Sequence, residues 1–321
     1  MSQCATSTNS FTLPSFAKIN LSLRILGKRT DGYHEIQTVL QTVSLHDNLT
    51  FAGHSGHELL FSCDDADIPT DERNLVVRAA LKLREVFRIK DGAQIHLQKT
   101  IPAEAGLGGG SSNAAITLMA LAQLWQHKTD GSELREIAAS LGADVPFFLY
   151  GGRALATGTG TTLSLLPDRA TVHLVIITPQ ARISTAEAYK SLGFSALTTQ
   201  TADSILAVSR GAAIFQDSDQ SGVPSELLND FEQVIFDSQP EIARARQVLV
   251  DNGARAVLLA GSGSSVFGIF DSPQESQHAL KRIRVESGWR IFACNTISRE
   301  EYFRALGGYG PRSYALLNSM I

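Results

Sequence analysis

The stretch 101–115, IPAEAGLGGGSSNAA, constrains this chain more than any other. Gly106, Gly108, Gly109 and Gly110 crowd together, two serines follow, and an apolar run begins at once, SSNAAITLMALAQLWQ (111–126). That run is apolar around most of its circumference, so the helix it predicts has to be buried. Glycine lacks Cβ, and backbone N–H groups can converge in such a loop where a side chain would block them. A helix starting at Ser111 adds unpaired amides and the positive end of its dipole. Phosphate is the ligand that this arrangement suits best. The stretch is neither of the two familiar nucleotide fingerprints. No lysine follows Gly110 as a P-loop requires, and serine stands at 111 where the dinucleotide pattern needs glycine.

Around this loop the chain reads as an α+β protein. FAKINLSLRIL (16–26) alternates, with Ala17, Ile19, Leu21, Leu23 and Ile25 on one face and Lys18, Asn20, Ser22 and Arg24 on the other. This predicts a half-buried strand with a polar face. KRTDGYHE (28–35) supplies an Asp-Gly turn before a second strand, IQTVLQTV (36–43), with DNLTF and ELLFS as further short strands. NLVVRAALKLREVF (74–87) is helical, AQIHLQK (93–99) is a strand, and SELREIAASLG (132–142) is a helix closed by Gly142. The domain junction is read at LLPDRA (165–170), which divides the chain into 1–168, 169–297 and an extension, 298–321. The second part opens on the apolar strand TVHLVIITP (171–179). Helices follow near 184–191, 225–238, 240–252 and 273–286, and strands at 254–270 and 289–295. Residues 192–222 are polar and read as a surface connection.

Composition narrows the function. With 321 residues and a 43% hydrophobic content, two packed domains are expected. A net charge of −4 argues against coating nucleic acid. Cys4, Cys63 and Cys294 are odd in number and scattered, without zinc spacing or a disulfide framework. No segment reads as a membrane span, and MSQCATSTNS lacks a signal-peptide core. These readings point to a cytoplasmic protein with no membrane or nucleic-acid partner.

Three further places carry candidate chemistry. Asp144, in GADVPFF (142–148), is either a turn-making side chain or a carboxylate able to take a proton from a substrate hydroxyl. Lys18 on an amphipathic strand would ordinarily be solvated. Tyr33 and His34, in DGYH, are surface residues or a pair that stacks on a heterocycle and hydrogen-bonds its edge. AGSGSS (260–265) is a second small-residue turn between apolar strands, most simply a tight hairpin.

Taken in order, FAKINLSLRILGKRTDGYHEIQTV, IPAEAGLGGGSSNAA with LGADVPFF, and LAGSGSSVFGIF resemble the GHMP kinase superfamily over residues 14–296. The long GLGGGSSNAA form and DGYH resemble its branch that acts on a cytidine-bearing alcohol. The resemblance implies a two-domain α+β kinase with its active site in the interdomain cleft. It implies ATP as phosphoryl donor, Mg²⁺ bridging the phosphates, and the 2-hydroxyl of 4-diphosphocytidyl-2-C-methyl-D-erythritol as acceptor. Asp144 would be the base, with Lys18 beside it stabilising charge and Asn20 placing the substrate. The loop of Pro102, Ala103, Glu104, Ala105, Gly106, Leu107, Gly108, Gly109, Gly110, Ser111, Ser112 and Asn113 would wrap the ATP phosphates, with Ser111 or Ser112 a contact for magnesium. Cytosine would lie between Tyr33 and Tyr189, its edge read by His34. A monomer or homodimer is expected. Ser264 and Ser265 stand where many members carry Pro-Thr, and the tail after 297 exceeds the usual end. The alternatives are a sibling kinase for homoserine or mevalonate and, from another class, an RNA-binding protein of related fold.

Overall fold

Two strands, β1 (Phe11–Lys28) and β2 (His34–His54), dominate the computed structural model, which describes residues 10–129, 131–192 and 227–309. They pair antiparallel through the turn made by Asp31 and Gly32, where the Asp31 carboxylate accepts the Tyr33 amide at 3.1 Å and Gly32 has φ +88°. β2 is long enough to absorb the segment DNLTF, expected as a separate strand. β3 (Leu59–Cys63) and β4 (Gly92–Gln98) extend the sheet on one side. β5 (Arg153–Gly158) also pairs with β2, and β6 (Thr162–Leu166) with β5. One face of this sheet is covered by α1 (Leu75–Phe87), α2 (Gly109–Leu124), α3 (Ser132–Leu141) and a 3₁₀ turn, Pro146–Leu149. As its all-round apolar character demands, α2 is buried along most of its length.

The second sheet begins with β7 (His173–Thr178), flanked by β10 (Val266–Phe270) and β11 (Arg290–Asn295), with β9 (Ala256–Leu259) outside β10. Its helices are α4 (Thr185–Ser191), α5 (Glu232–Ser238), α6 (Pro240–Asp251) and α7 (Pro273–Arg282). A short strand from this half, β8 (Leu228–Asn229), pairs parallel with β1 at Ser22 and Leu23. Ile19, Leu21 and Leu155 of the first sheet pack with Leu174, Ile176 and Phe267 of the second in one apolar cluster, so the halves share a core. The polar connection expected over 192–222 lies, beyond Leu192, outside the described residues.

Several expectations change. The helix expected over 225–238 begins only at Glu232, because Leu228 and Asn229 pair with β1 as a strand. The polar face of β1 is not solvated: Lys18, Asn20 and Ser22 are 4%, 2% and 4% exposed, because that face looks into the cleft between the halves. α2 starts at Gly109 rather than Ser111, since Gly108 takes the left-handed N-cap position at φ +71° and the next glycines enter the helix. Gly142 closes α3 in an extended conformation, φ 171°, not a left-handed one. The described part of the tail docks on the body: α8 (Arg299–Ala305) is capped by Ser298 and Glu301, and its fully buried Tyr302 donates its hydroxyl to the Phe148 carbonyl.

Candidate active site

β1 delivers Lys18 and Asn20 to the floor of a cavity of about 860 Å³ between the two halves. The Lys18 amide donates to the Leu107 carbonyl at 2.9 Å, which fixes the strand to the glycine loop. Lys18 Nζ donates to Asn20 Oδ1 at 2.8 Å, Asn20 Nδ2 donates to Thr38 Oγ1 at 2.8 Å, and Thr38 Oγ1 donates to the Ser22 carbonyl at 2.6 Å. This relay locks the lysine and asparagine in orientation, as buried polar groups require. Asp144, just past the end of α3, brings Oδ2 to 3.4 Å from Lys18 Nζ. The lysine is buried while the carboxylate remains about one third exposed, open to the cavity.

The glycine loop forms the adjoining wall through Gly106, Gly108 and Ser111. A Cβ on Gly106 would stand 1.9 Å from the Ala260 carbonyl oxygen, and one on Gly108 would meet Lys18 Cγ at 2.9 Å and the Phe148 ring at 3.0 Å. Close backbone approach therefore requires glycine at both positions. The first helical bond of α2 runs from the Ser112 amide to Gly108, leaving the amides before it without intrahelical carbonyls. The rest of the loop anchors this edge. Pro102, Ala105, Leu107, Gly109, Ser112 and Asn113 are buried, whereas Ala103, Glu104 and Gly110 are exposed. Ser112 Oγ accepts from Ser15 at 2.8 Å and does not line the cavity, so of the two serines Ser111 alone faces it. Beneath α2, Lys99 Nζ is held by Asp47 at 2.8 Å and by the Ile101 carbonyl, with burial drawing its pKa down.

Tyr33, His34 and Tyr189 also line the cavity. His34 stacks on Tyr189 with centroids 4.3 Å apart and planes 14° from parallel, and Tyr189 meets Phe231 edge-on at 4.9 Å. The stacked partner of Tyr189 is therefore His34, while Tyr33 stands at the rim, 67% exposed. Burial, helped by the positive charge of Lys28, lowers the His34 pKa. Burial and the nearby Asp144 charge push the Tyr189 hydroxyl up to about 12.

Sequence reasoning missed the roof. Gly261 and Ser262, in the turn between β9 and β10, line the cavity together with Thr185. Thr185 and Ser262 share a hydroxyl hydrogen bond of 3.1 Å. A Cβ on Gly261 would lie 3.3 Å from Lys18 Nζ, so this turn sits over the lysine. The Ser265 amide donates to the Ala105 carbonyl at 3.2 Å, stitching the two glycine turns together. The six-residue connection visible as AGSGSS was the available signal, though nothing local to it named its partner.

The arrangement is that of a cleft between two halves, with a glycine loop beside a carboxylate–ammonium pair. Known proteins agree with it. Models of the GHMP kinase N-terminal and C-terminal domains match residues 74–152 and 204–286. The chain is 38% identical over 281 residues to the 4-diphosphocytidyl-2-C-methyl-D-erythritol kinase of Chlorobium phaeobacteroides, covering 87% of this chain and 93% of that one. It is 38% identical over 276 residues to the enzyme of the same name from Bacillus cereus, covering 86% and 91%. A crystal structure of 4-(cytidine 5'-diphospho)-2C-methyl-D-erythritol kinase superposes with a TM-score of 0.71 at 33% identity, over 89% of this chain and 99% of that one. A homoserine kinase from Cytophaga hutchinsonii, at 20% identity and a TM-score of 0.61 over 93% and 98%, shares the fold. The chain belongs to the GHMP kinases, with their two-domain α+β fold.

Proposed function

We propose that this chain is an ATP-dependent kinase that phosphorylates the 2-hydroxyl of 4-diphosphocytidyl-2-C-methyl-D-erythritol. The observation that carries the reading is that the Lys18–Asp144 pair, at 3.4 Å, shares one cavity with the glycine loop and the His34–Tyr189 stack. It brings together a candidate phosphate cradle, a proton acceptor and an aromatic platform in one cavity. The relatives at 36–40% identity over most of the chain bear the name of this enzyme, which supports the same substrate.

In the reaction, the acceptor oxygen attacks the γ-phosphorus of ATP, the bond from that phosphorus to the β,γ-bridging oxygen breaks, and ADP leaves. Asp144 accepts the hydroxyl proton as the oxygen–phosphorus bond forms. Lys18, oriented by Asn20 and Thr38, puts a fixed positive charge beside the transferring group, where it is worth more than in water. Gly106 and Gly108 keep the loop bare enough for phosphates to reach its amides and the start of α2. The site offers Mg²⁺, a hard cation that takes one or two protein oxygens plus phosphates, the Ser111 hydroxyl on the cavity wall. Ser111 would hold the ion, which when bound would supply charge neutralisation at the phosphates.

His34 and Tyr189 would hold the cytosine, Tyr33 closing over it from the rim. A cytidine-bearing alcohol satisfies this platform, whereas homoserine or mevalonate leaves it empty. The test is an ADP-release assay of the purified chain on the cytidine substrate, homoserine and mevalonate with MgATP. Turnover confined to the cytidine substrate is expected; turnover confined to either of the others overturns the assignment.

A further inference from the structure

Among the described residues, the charged side chains lining the cleft are Lys18, Lys28, Lys190 and Asp144. Lys18 and Asp144 face each other, which leaves two ammonium groups that the reaction proposed above does not use. Lys28 is the cross-strand partner of His34 where β1 and β2 meet their turn, and cross-strand partners share a face. It lies near enough for its charge to lower the His34 pKa. Lys190 follows Tyr189 on α4. Because His34 and Tyr189 stack on each other, the two cations flank one aromatic platform, one from each half of the molecule.

The neighbouring carboxylates are committed elsewhere. Asp31 and Glu35 both pair with Arg29, at 3.0 and 2.7 Å. Glu187 closes the capping box of α4, accepting from the Ser184 hydroxyl at 2.7 Å, so Lys190 meets it only at longer range. Among the described residues neither Lys28 nor Lys190 has an ion-pair partner. A concave wall with an excess of one sign of charge draws the opposite sign to it. Cytosine is neutral and gives these ammonium groups nothing to bind. A diphosphate joined to it does, and lysine takes phosphate as a compact point charge.

We propose that Lys28 and Lys190 determine specificity for the diphosphate of the acceptor, holding it beside the platform while Lys18 and Asp144 act on the hydroxyl. This rests on the cytidine reading above and adds the anionic half of its recognition. The test is calorimetric titration of the full chain with cytidine and with cytidine 5'-diphosphate. It is run at about pH 8, where His34 is neutral, with a non-hydrolysable ATP analogue saturating the glycine loop. The unaltered chain should bind the diphosphate at least about tenfold more tightly than cytidine, by a margin that narrows as salt rises. In the double variant Lys28→Gln, Lys190→Gln the affinity for cytidine should hold while the margin falls below about threefold; Lys28→Arg with Lys190→Arg should keep it. An undiminished margin in the glutamine variant overturns the proposal, as does equal binding of the two compounds by the unaltered chain. So does a loss of both compounds alike in the glutamine variant, which would make the lysines supports of the stack. If the unaltered chain binds neither compound, the cytidine reading itself fails and this inference falls with it.

Discussion

At the scale of single residues, the cleft depends on side chains whose surroundings remove their freedom. Lys18 spends its hydrogen bonds inward on Asn20, while Asp144 keeps an open side to the cavity. Replacing Asp144 with alanine removes the proposed proton acceptor without disturbing a core contact. Turnover is expected to fall about 10²–10⁴-fold with the melting temperature nearly unchanged, measured by steady-state assay and thermal unfolding. His34 gives a pH prediction. Its folded pKa lies below the usual 6.5 through burial and the Lys28 charge, so the folded chain binds fewer protons there than the unfolded one. The group's contribution is then present above the unfolded pKa and lost as pH falls through the folded value. KM for the cytidine substrate should stay flat from about pH 8 to 6.5 and rise only below, and His34→Gln should abolish that acid limb. A limb unchanged in the variant would assign the titration elsewhere. The alternation of FAKINLSLRIL and the place of Asp144 beside a helix end were legible in the sequence. That the polar face of β1 is buried was not, because what covers it, the glycine loop, Asp144 and the turn at Gly261, comes from segments far away in the chain.

Among the elements, the two glycine turns behave as one piece. The loop before α2 and the turn between β9 and β10 are bonded through Ala105 and Ser265, with Gly106 pressed against the Ala260 carbonyl. Gly106→Ala cannot be accommodated without separating them, since its Cβ would lie 1.9 Å from that oxygen and its φ is +77°. KM for ATP should rise at least tenfold, and the chain should lose about 1–3 kcal/mol of stability, read by denaturant titration. An alanine variant with unchanged KM and unfolding midpoint would show that the turns part freely. The strength of the helix signal in SSNAAITLMALAQLWQ came from an apolar character that no other environment tolerates. The turn at 260–265 carries no such mark, because what defines it is an approach between residues more than 150 positions apart in the chain.

For the molecule as a whole, the terminal segment is a structural part of the first half. Tyr302 is fully buried against Phe16 and Phe303, and its ring packs on Gly151, where a Cβ would lie 2.4 Å away. Tyr302→Ala should destabilise the chain by about 3–5 kcal/mol, measured by chemical denaturation, while kcat of the folded fraction is retained. A loss of less than 1 kcal/mol, the range of an ordinary surface change, would mean that α8 is an ornament on the surface. From the sequence, the same segment was only a tail beyond the usual end of the family, since SREEYF has no periodicity long enough to announce a buried face. β8 sets a different condition on the assembly. Leu228 and Asn229 lie beside β1 in the first sheet, yet Asn229 donates from its side chain to the Leu259 and Gly261 carbonyls of the second half at 2.9 and 2.8 Å. The two halves are thus laced, and neither is an interchangeable cassette. A chimaera that grafts the second half of a relative onto this first half inherits a foreign edge for β1 and a foreign tether for the turn over Lys18, so recombination at the junction near 168 changes the floor of the cleft even when every residue of the first half is kept.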